Sequence, residues 1–127
     1  MTKTQYGLVT IGNALVDILS PSSEDFIAAQ SAQFGMNRGS MNLIDADRAL
    51  QLYDAMGPAT EMSGGSAGNT MACYASFGGK GAYVGKVGTD QLGEVFRHDM
   101  RAMGVSHTTA PSQTNTPTGR CMILITP

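Results

Sequence analysis

The segment Ser63-Gly64-Gly65-Ser66-Ala67-Gly68-Asn69-Thr70 constrains this chain more than any other stretch. Two adjacent glycines lead into a serine and then into an apolar pattern with helical spacing. A backbone without Cβ atoms can turn sharply and approach another group closely, and Ser66 is placed to cap a helix whose first N–H groups face outward. The stretch reads as a strand-to-helix turn with room for a ligand. An ordinary connector between strand and helix would use the same residue types.

The rest of the chain alternates strand and helix around that turn. Residues 6–11 form a nearly continuous apolar run ending at Gly12, the pattern of a central strand covered on both faces. Asp45 precedes apolar residues at Ala46, Ala49, Leu50 and Tyr53, and Gly57-Pro58 follows, which predicts a capped helix and its stop. Residues 60–62 return to the sheet. Beyond the glycines, Ala67, Met71, Tyr74 and Ala75 share a helical face and Gly78-Gly79 ends it, with a strand predicted at 82–87. Asp90 then caps a helix with Leu92, Val95, Phe96, Met100 and Met103 on one side and Gly104 at its end. Such alternation argues for an α/β fold with parallel strands joined by right-handed crossovers. Residues 34–43 and 106–116 are polar, rich in Gly or Thr, and fit either small strands or loops.

With 127 residues, 42% hydrophobic and 14% charged, the chain has the size and content of one globular domain. A formal charge of −2 with dispersed basic residues argues against nucleic-acid binding. No apolar run is long enough to span a bilayer and no signal-peptide core follows the N-terminus, so a cytoplasmic location is expected, with no membrane partner. Cys73 and Cys121 are too few for a disulfide framework and lack metal-ligand spacing, so both are expected reduced and packed. His98 and His107 have no second ligand at a metal spacing, and no metal site is expected. Nine methionines read chiefly as core filling.

Asp17 is the leading candidate for chemistry, because a carboxylate accepts hydrogen bonds from two neighbouring hydroxyls at once. It lies among Leu15, Val16, Ile18 and Leu19, where an ionised group is expensive to bury without partners. It either faces solvent on a strand edge or awaits a ligand. Asn13 shares its face if the strand is straight, yet four extended residues span about 13 Å. The chain must bend after Gly12 for the two to meet. Two common phosphate motifs are missing: Gly85-Lys86 is followed by Val87, with Lys80 where a Walker loop needs glycine, and no G-x-G-x-x-G opens a helix.

Five segments in order carry a family resemblance: Gly12-Asn13-Ala14-Leu15-Val16-Asp17-Ile18, Gly39-Ser40-Met41-Asn42-Leu43-Ile44-Asp45, the Gly64–Thr70 turn, Gly85-Lys86-Val87-Gly88-Thr89-Asp90-Gln91-Leu92-Gly93 and Pro117-Thr118-Gly119-Arg120-Cys121. On these the chain resembles adenosine kinases within the ribokinase-like (phosphofructokinase B type) carbohydrate kinases. The resemblance implies the N-terminal part of a three-layer α/β/α sheet with a small β-sheet lid, residues 1–127 forming the substrate-binding portion and pieces near 34–43 and 106–126 the lid. It implies an acceptor site of Asn13, Asp17, Gly64, Gly65 and Asn69, although Asn69 could instead bond to its own backbone in the first helical turn. Lid contacts from Met41 and Cys121 are a further implication, with core packing the alternative for each. ATP and Mg²⁺ in the complete enzyme, a nucleoside or sugar acceptor, and a homodimer contact through lid strands complete the set.

Two departures bear on the acceptor: Gly68 stands where the family often has Ala or Gln, and Arg120 where many adenosine kinases have Thr. The family's D-T-x-G-A-G-D segment, with its anion hole and catalytic Asp, does not occur in this sequence. Phosphoryl transfer needs positioning, electrostatic stabilisation and a proton acceptor, and these residues supply part of the positioning. The expectation is therefore that residues 1–127 supply the acceptor-binding part and are inactive alone. A fructose or keto-deoxy sugar acid kinase, or a non-catalytic small-molecule binding module, is the alternative.

Overall fold

The computed structural model describes residues 5–127, and residues 1–4, where the sequence reading of the N-terminus falls, lie outside the described part. Its elements are β1 (Leu8–Ile11), β2 (Leu15–Pro21), α1 (Glu24–Phe34), α2 (Ala46–Ala55), β3 (Thr60–Gly64), α3 (Ser66–Ser76), β4 (Gly81–Val84), α4 (Gln91–Ala102) and β5 (Gly119–Ile125). Strands β1 and β4 form one sheet and β3-β2-β5, in that order, another. The chain divides into two compact units, one of the described residues up to Asp17 with Glu61–Cys121, the other of Ile18–Thr60 with Met122–Pro127.

In the first unit β1 and β4 run parallel, with Leu8 opposite Gly81 and Ile11 opposite Val84. Helix α3 packs on both strands. Gly81 admits it, since a Cβ there would press into the Met71 thioether, and Met71 is fully buried. Helix α4 follows from its sequence. Asp90 accepts a hydrogen bond from the Gly93 N–H at 2.9 Å, Glu94 lies in the first turn and Arg101 in the last, each matching the helix dipole. Its buried side chains Leu92, Phe96 and Met100 recur every fourth residue. Phe96 meets the rings of Tyr83 at 5.3 Å and His107 at 5.6 Å, and Tyr83 donates to the Gly12 carbonyl at 3.0 Å. Burial raises the pKa of that phenol above its ordinary value.

One expectation for this unit fails. β1 is not a strand covered on both faces, because Val9 is 52% and Ile11 78% exposed. Among the described residues it pairs only with β4, and Leu8 and Thr10 are the less exposed of its alternating side chains.

In the second unit Ser23 caps α1, accepting from the Phe26 N–H at 3.2 Å with Glu24 and Asp25 in the first turn. The sequence reading passed over this helix. Asp45 caps α2 as expected, accepting from the Arg48 N–H at 2.8 Å. Arg48 bonds the Gln30 amide oxygen and lies over the Phe34 ring. The face α2 buries carries Ala49 and Leu52, whereas the predicted Leu50 and Tyr53 are exposed. Residues 35–45 contain no strand, so the expected lid piece at 34–43 is the end of α1 and an irregular segment. Within the other piece, Ser106 makes a single parallel bridge to Ala82 and only β5 is a full strand.

Candidate functional site

The bend that Asn13 and Asp17 require is present: β1 ends at Ile11, β2 begins at Leu15, and the two strands belong to different sheets. Along β2 the side chains alternate strictly. Ala14, Val16, Ile18 and Ser20 are buried, while Leu15, Asp17 and Leu19 lie on a half-exposed face. Asp17 is thus not on a strand edge, since β2 is the middle strand of its sheet. Its carboxylate accepts no hydrogen bond and makes no ion pair with any described residue.

Its neighbours explain the glycines. A Cβ at Gly64 on β3 would come within 2.5 Å of the Asp17 Cγ and 2.8 Å of its Oδ1, so the missing side chain is what gives the carboxylate its space. Gly65 has φ 84° and ψ 150°, a backbone state L side chains rarely adopt, and a Cβ there would lie 3.0 Å from the Asn13 carbonyl oxygen. On the other side Cys121 of β5 is close enough for the Asp17 charge to act on it. Partial burial first, and that negative charge second, raise the thiol's pKa.

Asp17 and Gly64 are therefore brought together, and Gly65, next in the chain, lies against the Asn13 backbone carbonyl. Asn69 sits in the first turn of α3, exposed, its N–H bonded to the Gly65 carbonyl at 2.8 Å. Ser66 does not cap the helix. The cap position is Gly65, with no side-chain hydrogen bond, because the glycine's unusual backbone already turns the chain and Ser66 is the first helical residue. Met41 is 83% exposed and belongs to the second unit, so core packing does not account for it. Neither cysteine is packed away: Cys73 and Cys121 are both exposed. For Cys121 the reason is strand alternation, which turns it to the open face with Asp17.

A second cluster went unread in the sequence. Asp90 caps α4 and also reaches the residue just before β5, accepting from the Thr118 N–H at 2.9 Å and from the Thr118 hydroxyl, with the Arg120 guanidinium 4.0 Å away. The Thr118 hydroxyl accepts in turn from the Gly88 N–H at 2.9 Å, and Thr118 is 2% exposed. Desolvation pushes the Asp90 carboxyl up, but the hydrogen bonds from Thr118 and Gly93 and the charge of Arg120 outweigh it and leave the pKa lowered. Gly88 and Gly93 permit this contact: a Cβ on Gly88 would lie 3.0 Å from the Thr116 carbonyl oxygen, and one on Gly93 would lie 3.1 Å from the Thr118 hydroxyl. The spacing Gly88-x-Asp90-x-x-Gly93 was the signal that could have found it.

Residues 38–127 match the model of the pfkB family of carbohydrate kinases. The chain belongs to that family. Among solved structures it is similar to a probable sugar kinase protein from Rhizobium etli CFN 42, at 49% identity over 98% of this chain with a TM-score of 0.82. It is similar also to adenosine kinase from Sinorhizobium meliloti, at 53% identity over 97% of the chain with a TM-score of 0.82. Adenosine kinase from Schistosoma mansoni, solved with adenosine, shares the fold at 20% identity, 92% coverage and a TM-score of 0.75. The pfkB-family chain spans about a third of these proteins, 36%, 36% and 34% of their lengths. No curated protein matches it. The ribokinase-like α/β fold read from the sequence is the fold observed, and no helix among the described residues is long and apolar enough to cross a membrane.

Proposed function

We propose that this chain supplies the acceptor-binding part of an ATP-dependent phosphotransferase acting on a primary hydroxyl of a nucleoside, adenosine first, or of a sugar. The observation that carries the reading is the unpaired Asp17 carboxylate, held on a half-exposed face where Gly64 leaves it room. Vicinal hydroxyls donating to both carboxylate oxygens would complete it. Asn69 offers an exposed amide that donates and accepts, Gly65 offers backbone groups, and Asn13 borders the turn. The names of the two relatives near 50% identity support both acceptor classes, one a probable sugar kinase and one an adenosine kinase.

ATP and Mg²⁺ are proposed as the phosphoryl donor and its ion, but no step is assigned to them through residues of this chain. Among the described residues no three His, Cys, Asp or Glu side chains gather as a metal would need, and Asp45 and Asp90 are both committed as helix caps. Residues 1–127 alone are accordingly proposed to bind acceptor without turning it over.

Calorimetry of the chain against adenosine, fructose and a keto-deoxy sugar acid tests this and separates the two acceptor classes. Asp17→Asn should cost about 2 to 4 kcal/mol of acceptor binding. Unchanged affinity in that variant would remove Asp17 from the site.

A further inference from the structure

The two clusters lie on alternate sides of residues 118–121, which lead into β5. Thr118 and Arg120 point to Asp90, while Gly119 and Cys121, the alternate residues, face β2. A Cβ on Gly119 would meet the Leu15 Cδ2 at 2.5 Å and the Ala14 carbonyl oxygen at 3.0 Å, and one on Gly65 would lie 3.6 Å from the Leu15 Cβ. The height of Gly119 on Leu15 thus sets where Cys121 lies beside Asp17. A strand slip of one residue would exchange the faces and turn the Arg120 cation toward the Asp17 carboxylate.

We propose that Asp90 and Thr118 form a clasp that positions the acceptor face, pinning the start of β5 to the cap of α4 so that Asp17 stays unpaired. Neither residue touches the open face; both act through Gly119 and Cys121. Two hydrogen bonds from one residue to one carboxylate, and a third from Gly88 to the same hydroxyl, hold a single register where one backbone pairing would tolerate fraying. Arg120, with its side chain 16% exposed, is kept near Asp90 by the same contact. The proposal rests on the acceptor reading of Asp17 for its functional consequence but not for its geometric one.

Cys121 reports the geometry without any ligand. In a Cys73→Ser background it is the sole thiol, and its alkylation rate against pH gives its titration midpoint. Asp17→Asn should lower that midpoint by removing the neighbouring charge, which calibrates the readout. Thr118→Val should move it in the same direction and weaken adenosine binding by about tenfold, the scale of one lost hydrogen bond. Thr118→Ser, which keeps the hydroxyl, should restore both. Asp90→Asn keeps a cap oxygen for the Gly93 N–H and should shift the midpoint less than Thr118→Val, so it carries the measurement if the valine variant loses its cooperative urea transition. A midpoint unmoved in both Thr118→Val and Asp90→Asn, or moved as far by Thr118→Ser as by Thr118→Val, would overturn the clasp. If the parent chain binds neither adenosine nor sugar, the acceptor reading falls, and the thiol titration still decides the clasp.

Discussion

Replacing Gly64 by alanine tests whether the glycine exists to make space for a carboxylate. Gly64 has an ordinary extended backbone, so alanine meets no conformational bar there. The added Cβ would lie 2.5 Å from the Asp17 Cγ and 2.8 Å from its Oδ1, about 1 Å inside ordinary contact. Either Asp17 leaves its rotamer, at about 1 kcal/mol, or β3 recedes, at about 1–3 kcal/mol. Against this, alanine restricts the unfolded chain and returns about 0.4–1 kcal/mol. The net expectation runs from about neutral, if Asp17 leaves its rotamer, to a loss of about 2.5 kcal/mol, if β3 recedes, the latter a fall in urea midpoint of roughly 1 M. The nearest three atoms are all Asp17 carboxyl atoms, so the loss should vanish in an Asp17→Ala background, where Gly64→Ala becomes neutral or mildly stabilising. Urea titrations followed by far-UV circular dichroism on the four chains of this cycle give the coupling. Equal losses in both backgrounds, within about 0.5 kcal/mol, would refute the argument and place the strain in the backbone.

Gly68→Ala should do the opposite, stabilising by about 0.5–1 kcal/mol, because a Cβ there meets Met100 at 3.7 Å and Phe96 at 3.9 Å and a helix interior gains from losing glycine; a lower urea midpoint would contradict this. Phe96→Ala, at a fully buried ring between Tyr83 and His107, should cost about 3–5 kcal/mol by the same assay. The folded Asp90 carboxyl titrates below its unfolded value of about 3.9, so its stabilisation is whole above that pH and lost as pH falls through the lower folded value. Asp90→Asn should accordingly be less stable at neutral pH and show a shallower decline below about pH 4, read from urea midpoints across pH. ATP with any acceptor should give no product above background from residues 1–127, and light scattering should reveal self-association through exposed apolar strand positions such as Val9, Ile11 and Ile125; acceptor-dependent turnover by a clean monomer would contradict both.

Much of this was legible in the chain. Caps and stops are local chemistry, so Asp45, Asp90 and the glycine turn at Gly64-Gly65 could be placed from neighbours a few residues away. The recurrence of Leu92, Phe96 and Met100 at every fourth position likewise needs no partner to be recognised as a buried face. Helix α1 was missed even though Ser23, Glu24 and Asp25 form an N-terminal signal, because its apolar face is thin, with only Ile27 and Gln30 buried. Residues 34–43 had too little periodicity to choose between strand and loop, and no neighbouring strand pairs with them.

By itself, then, the sequence determined several of the helices and strands, that the fold is α/β, and that a carboxylate and a glycine turn are candidates for the site. Local hydrogen bonding and side-chain periodicity are enough for that. Only the tertiary structure decided that β1 and β2 enter different sheets, that Asp17 lies on a middle strand with Gly64 beside it, and that Cys121 is exposed while Thr118 is buried. Those facts depend on strand register, and register is set by contacts between residues far apart in the chain, as Asp90 with Thr118 illustrates. A period of two places a side chain on one of two faces; which face meets which neighbour is settled only when the strands pair.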